Sequence, residues 1–180
     1  MRSNLILGLK HGVRIPMKIQ RHIAIIRTGE KEWRNFWTVG ITENIGEVLN
    51  KAEEAGLVHA TLNRQEIDFL CNCCGCHCMI LKTALAQPKP GLSLNSGFKP
   101  RHDRDLCTSC GTCIDRCPTQ ALAMDSEDKP ALNLDRCIGC GVCTTGCAFD
   151  AISLVERAGI LAPPMDQKAL REAIKASQVY

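Results

Sequence analysis

Two stretches decide how this chain is read: DLCTSCGTCIDRCPTQALAM over residues 105–124 and DRCIGCGVCTTGCAFDAISL over residues 135–154. They repeat at an offset of 30 residues, with every cysteine, one glycine and the following alanine in register. Self-similarity of this kind marks one structural unit built twice. Cys107, Cys110, Cys113 and Cys117 are followed by Pro118, and Cys137, Cys140, Cys143 and Cys147 keep the same spacing with Ala148 in the proline position.

The chain has 180 residues, thirteen cysteines and only 4% aromatic residues. Those thiols therefore serve either as a disulfide framework or as metal ligands that replace a missing apolar core. An odd count, gathered in tight tandem runs, favours thiolate–metal chemistry. No segment has the uninterrupted apolar run of a secretory leader or a bilayer span, so the expected compartment is a reducing cytoplasm.

Three cysteines two residues apart suit a loop wrapped around one 4Fe-4S cube, and the fourth iron needs a thiolate from elsewhere. In a two-fold repeat that ligand comes from the other half. The expected sets are Cys107, Cys110, Cys113 and Cys147 for one cluster, and Cys137, Cys140, Cys143 and Cys117 for the second. Gly111 and Gly141 stand directly after a cysteine, where the backbone must turn tightly and bring its N–H groups toward sulfur. Ala121, Leu122, Ala151, Ile152 and Leu154 are candidates to pack around the clusters, and Ala131, Leu132 and Leu134 suggest a short strand between the halves. Pro118 fixes φ and withholds an N–H, whereas Ala148 frees a donor expected to bias the site containing Cys147 toward a higher potential. Zinc sites normally pair two C-x2-C knuckles without the third cysteine and the C-x3-C-P step.

On these residues the segment 103–157 resembles the bacterial-type 2[4Fe-4S] ferredoxin family, with all eight ligand positions occupied. The resemblance implies an α+β, ferredoxin-like module of two β-hairpins and two short helices that passes single electrons between a redox-protein donor and acceptor. It implies an electron carrier, or the electron-transfer module of an anaerobic oxidoreductase system, rather than an enzyme.

Upstream, residues 42–56 read as an amphipathic helix with Ile45, Val48, Leu49, Ala52 and Ala55 on one face, Thr42 as N-cap, Glu43 in the first turn and Gly56 as the left-handed stop. It precedes CNCCGCHCM, which holds Cys71, Cys73, Cys74, Cys76 and Cys78 with His77 among them. The words EEAGLVH and CNCCGCHC extend the resemblance to residues 42–157, as part of a longer bacterial 4Fe-4S binding-domain family. Where those relatives continue with a further cysteine and a glycine, this chain has His77 and Met79. Residues 71–78 are open to three readings: a third iron–sulfur cluster, a zinc or other soft-metal site, and redox-active or free thiols. A redox or metal sensor, or a cluster enzyme centred on these cysteines, is accordingly the alternative function.

The stretch QPKPGLSLNSGFKPR (87–101) is rich in Pro, Gly and Ser and reads as a linker or surface loop. The resulting division is a basic segment 1–41, a helical and cysteine-rich segment 42–86, the linker 87–101, the ferredoxin-type domain 102–157 and a helical tail 158–180. Residues 1–36 carry eight Lys and Arg against two Glu, with Trp33, Phe36 and Trp37 as an aromatic cluster. No nucleic-acid motif accompanies them, and docking against the rest of the protein explains the aromatics as well, so no nucleic-acid partner is expected. Residues 103–157 hold nine acids against five bases, an imbalance suited to a basic partner surface. Phosphate-binding loops and a recognisable nucleophile–base pair are both missing.

Overall fold

The computed structural model describes residues 23–26, 45–65, 69–76 and 78–177. In chain order these hold β1 (Ile23–Ile26), α1 (Ile45–Glu54), β2 (Val58–Ala60), β3 (Phe69–Cys73), α2 (Met79–Leu85), α3 (Pro90–Ser93), β4 (Phe98–His102), α4 (Thr112–Asp115), β5 (Leu122–Met124), β6 (Pro130–Leu132), α5 (Val142–Thr145), β7 (Ile152–Glu156) and α6 (Gln167–Ser177). The mixture of short helices and strands agrees with the α+β expectation.

The 30-residue repeat is written into the backbone hydrogen bonds. Asp103 N donates to Ala151 O at 2.8 Å, and Asn133 N, its equivalent, donates to Ala121 O at 2.8 Å. Asp103 and Asn133 also fold their side-chain oxygens back onto the amides of Asp105 and Asp135, each at 3.0 Å, an Asx turn that needs only the short polar side chain. Each half then runs strand, cysteine loop, one-turn helix and strand. β5 and β6 form a hairpin with Leu122 opposite Leu132. The other pair is β4 with β7, antiparallel from Phe98 opposite Glu156 to His102 opposite Ile152. It is therefore a pairing of the segment's two ends and not the second local hairpin that the resemblance implies.

α1 closes as its sequence predicts. Gly56 takes φ +71, its N–H reaches Glu53 O at 2.9 Å, and Leu57 N reaches Ala52 O at 2.9 Å, the two bonds that satisfy orphan carbonyls in a Schellman stop. Leu49 and Ala52 are buried, but Ala55 lies beyond the last helical turn and is exposed. Thr42 and Glu43, proposed for the helix start, lie outside the described residues, as do the Trp33, Phe36 and Trp37 cluster and His77.

β3 is the centre of a three-stranded sheet, with β1 parallel on one side and β2 antiparallel on the other. Its cysteine-bearing face joins a core of Val58, Cys73, Leu81, Ala84, Leu94, Ile138 and Val142. Ile138 and Val142 belong to the second cysteine loop and α5, so the upstream segment and the repeat share one apolar core. Burying such side chains, at roughly 1.5–3 kcal/mol each, fixes the two against one another.

The stretch 87–101 departs from the loop reading. It contains α3 and most of β4, and its polar groups are bonded to the second cysteine loop: Gly91 N to Asp135 O at 2.8 Å, Ser96 N to Ile138 O at 3.0 Å and Ser96 Oγ to Gly139 O at 2.7 Å. Its prolines suit these places, Pro90 at the first turn of α3 and Pro100 in a two-stranded sheet where every strand is an edge. The C-terminal helix α6, started by Asp166 Oδ1 accepting from Ala169 N at 2.8 Å, buries no residue.

Candidate metal centre

The four-residue helices α4 and α5 begin at Gly111 and Gly141, which take φ +79 and +78. This left-handed step immediately follows Cys110 and Cys140 and turns each loop inward, as expected for glycine at these places. The loops curl around two cavities. One is lined by Cys107, Cys110, Cys113 and Cys147, together with His102, Phe149 and Ile152 among others. The second is lined by Cys137, Cys140, Cys143 and Cys117, together with Thr119, Leu122 and Leu132 among others. Each thiol quartet thus takes three members from one half and one from the other. Cys113, which lines the first cavity, and Cys143, which lines the second, share a core with Leu122 and Ile152.

Backbone amides point at two of these sulfurs: Ser109 N lies 3.4 Å from Cys107 Sγ, and Ala121 N 3.2 Å from Cys117 Sγ. Amide donors aimed at sulfur stabilise thiolate and the sulfur ligands of a cluster. The donor set, all thiol, and the mostly apolar walls fit an iron–sulfur group. All thirteen cysteines are free of disulfides. Among the described residues, no three Cys, His, Asp or Glu side chains converge closely enough to hold a single ion. In the two loops the quartets stand apart around a cavity, a spacing that serves a multi-iron body better than one zinc ion.

The two surroundings are unequal. Cys110 is exposed, and the Thr112 hydroxyl 3.4 Å from its sulfur lowers its pKa. Burial raises that of Cys113. In the second loop burial raises the thiols of Cys137 and Cys143 and pushes Cys140 up to about 12. The core shared with β3 and α2 covers the second loop, whereas Phe149, 49% exposed, stands at the mouth of the first cavity. The repeat places His102 in the first cavity where Leu132 occupies the second.

Several supporting residues were not legible as such. Lys129 Nζ donates to Cys107 O at 2.6 Å, and Arg157 Nη2 donates to Cys137 O at 2.5 Å, so a cation holds the carbonyl of the first cysteine in each loop. Arg136 Nε reaches Thr119 O at 2.7 Å. Their one sequence signal was isolated bases within an acidic segment. Of the apolar residues proposed as packing, Ala121 and Leu122 line the second cavity and Ala151 and Ile152 the first; Leu154 lines neither.

Cys71, Cys73 and Cys78 lie together beside this centre, on the core that also includes Cys140. Cys74 is half-buried and Cys76 exposed.

Residues 99–148 match the family model described as a 4Fe-4S dicluster domain. Fold, thiol arrangement and this match together define an iron–sulfur domain of ferredoxin type within the chain. The match covers less than a third of the 180 residues. No curated protein matches the chain.

Proposed function

We propose that the chain is an electron-transfer protein carrying single electrons through two 4Fe-4S clusters, one held by Cys107, Cys110, Cys113 and Cys147, the other by Cys137, Cys140, Cys143 and Cys117. It acts as a carrier, or as a module of an anaerobic oxidoreductase system, and is not itself an enzyme. Each such cluster changes by one electron, at a potential set by its thiolates, burial and hydrogen bonds. The observation that carries this reading is the sorting of the eight repeat cysteines into two quartets, each lining its own cavity and each completed by the other half. The chain's own residues supply thiolates, amide donors toward sulfur and a largely apolar wall that limits water.

The exposed mouth of the first cavity, with Cys110 and Phe149 at the surface, faces the redox-protein donor and acceptor. Thirteen cysteines, none of them in a disulfide, suit a reducing cytoplasm. No helix among the described residues is long and apolar enough to cross a membrane, and no nucleic-acid partner is invoked.

EPR of the reduced, anaerobically reconstituted protein, with iron and zinc quantified on the same sample, tests the proposal. Two clusters require about eight irons per chain and give interacting reduced centres; a third cluster at residues 71–78 raises the count to about twelve. Protein that takes up zinc and no iron sinks the proposal.

A further inference from the structure

Strands β4 and β6 line the two cavities in a nearly matched way. Pro100 and His102, two residues apart on β4, leave the strand on one face, and Pro100 lines the second cavity while His102 lines the first. Pro130 and Leu132 repeat this on β6 with the cavities exchanged, Pro130 in the first and Leu132 in the second. Each site therefore receives one proline, and the remaining place holds an imidazole at one and an aliphatic chain at the other. The strand pairs fix both: His102 stands opposite Ile152, which also lines the first cavity, and Leu132 opposite Leu122, which also lines the second.

The groups that reach a ligand sulfur are balanced between the halves. Each quartet receives one backbone amide, Ser109 N at 3.4 Å from Cys107 Sγ and Ala121 N at 3.2 Å from Cys117 Sγ. Each also has one hydroxyl beside a sulfur, that of Thr112 at 3.4 Å from Cys110 and that of Thr119 at 3.5 Å from Cys117. His102 has no such counterpart. Its Nδ1 is buried and finds no hydrogen-bond partner among the described residues, and a polar nitrogen so placed is costly until it is paired. An imidazole nitrogen donates or accepts according to its tautomer. Beside thiolate and sulfide, which only accept, the tautomer with the proton on Nδ1 satisfies both sides.

The geometry points to His102 as the donor that sets the two centres apart: its Nδ1–H donates to a sulfur of the cluster held in the first cavity and raises that centre's reduction potential above that of the second. This assignment rests on the proposed carrier function. A donor facing sulfur stabilises the more negative, reduced state, and Leu132 offers the second site nothing equivalent. The apolar core that covers the second loop acts in the same direction, since burial disfavours added charge. The first electron to enter the chain therefore resides at the site with the exposed Cys110 and Phe149.

The test uses the full chain, labelled with nitrogen-15 histidine and reconstituted anaerobically with its iron measured. In wild type reduced only as far as its higher-potential centre, pulsed EPR is expected to show a nitrogen-15 hyperfine coupling, and His102→Leu to lose it although the chain's other histidines remain. In protein-film voltammetry His102→Leu should lower one potential and leave the other in place. The expected shift is about a tenfold fall in the reduced-to-oxidised ratio at fixed potential, or about 59 mV for one electron. No coupling in wild type, a coupling that appears only once the second centre is reduced, or potentials that stay put or move together in His102→Leu overturns the proposal. Should His102→Leu not hold iron, His102→Asn decides: the nitrogen-15 signal is lost if His102 is the donor and kept if another histidine is. Wild type that takes up no iron refutes the carrier function itself, whereas two reduced centres without the coupling refute the role of His102 alone.

Discussion

Ser109 and Gly139 occupy equivalent places in the two loops and share a left-handed backbone, with φ +60 and +72. Conformation alone therefore does not demand glycine at 139; proximity does. A Cβ there would run into Phe98 O, at the start of β4, and Ser96 Oγ, which donates to Gly139 O. Gly139→Ala is expected to lower stability by about 2–4 kcal/mol through overpacking and left-handed strain. Ser109→Gly should stay within about 1 kcal/mol of wild type, since the gain in conformational ease is offset by a more flexible unfolded chain. Denaturation of the anaerobic protein, followed by the loss of iron–sulfur absorbance, reads both. At the symmetry-related pair Pro118 and Ala148, Ala148→Pro removes a backbone donor and should lower one of the two reduction potentials, leaving the other in place. Protein-film voltammetry distinguishes this from a shift of both or of neither. The cysteines and the glycines after them were legible because their spacing and handedness are local properties. The need at Gly139 comes from Ser96 and Phe98, far earlier in the chain, and no local pattern carries it.

Between elements, Arg116 is the connector that spacing could not show. Its Nη2 donates to Glu53 O at 2.5 Å, Nη1 to Glu54 O at 3.3 Å, and Nε to Val142 O at 3.3 Å. One guanidinium thus joins the carbonyl end of α1 to α5, where a cation also complements the helix dipole. Its stem crosses Gly146, the equivalent residue 30 positions on, and a Cβ at 146 would meet Arg116 Cδ and Nε. Near the pseudo-symmetry axis the two halves cannot both carry a long side chain. Arg116→Ala should cost about 2–3 kcal/mol and speed amide hydrogen exchange across residues 45–54 while iron content is kept. Arg116→Lys restores only part of this, because a point charge cannot serve three carbonyls as the planar fork does. The same logic explains why 87–101 reads as a linker. Its composition is that of a loop, and its order comes from bonds to residues 135–139.

At the scale of the whole molecule, each of the five bases within 103–157 has a partner within the protein. Arg104 binds Asp125 and Glu127, Arg116 holds α1, Lys129, Arg136 and Arg157 hold backbone carbonyls, and Asp105, Asp115, Asp128, Asp150 and Glu156 remain at the surface. The acidic balance seen in the sequence is therefore displayed outward. Association with a basic redox partner is expected to slow several-fold as ionic strength rises from about 0.01 to 0.15 M, as the Debye length falls from about 30 to 8 Å. Stopped-flow rates that do not change with salt would show that charge does not guide docking. Charge count was legible from sequence; the internal use of every base was not, since carbonyl acceptors leave no mark on composition.

The pairing of β4 with β7 brings Phe98 opposite Glu156, so the segment's entry and exit lie side by side. A unit whose two ends meet is a cassette: it can be spliced into a surface loop of an unrelated host without prising the host's chain apart. Joining residues 98 and 156 by a short bridge and opening the chain between β5 and β6 should likewise leave the same interleaved thiol quartets, written in a different order along the gene.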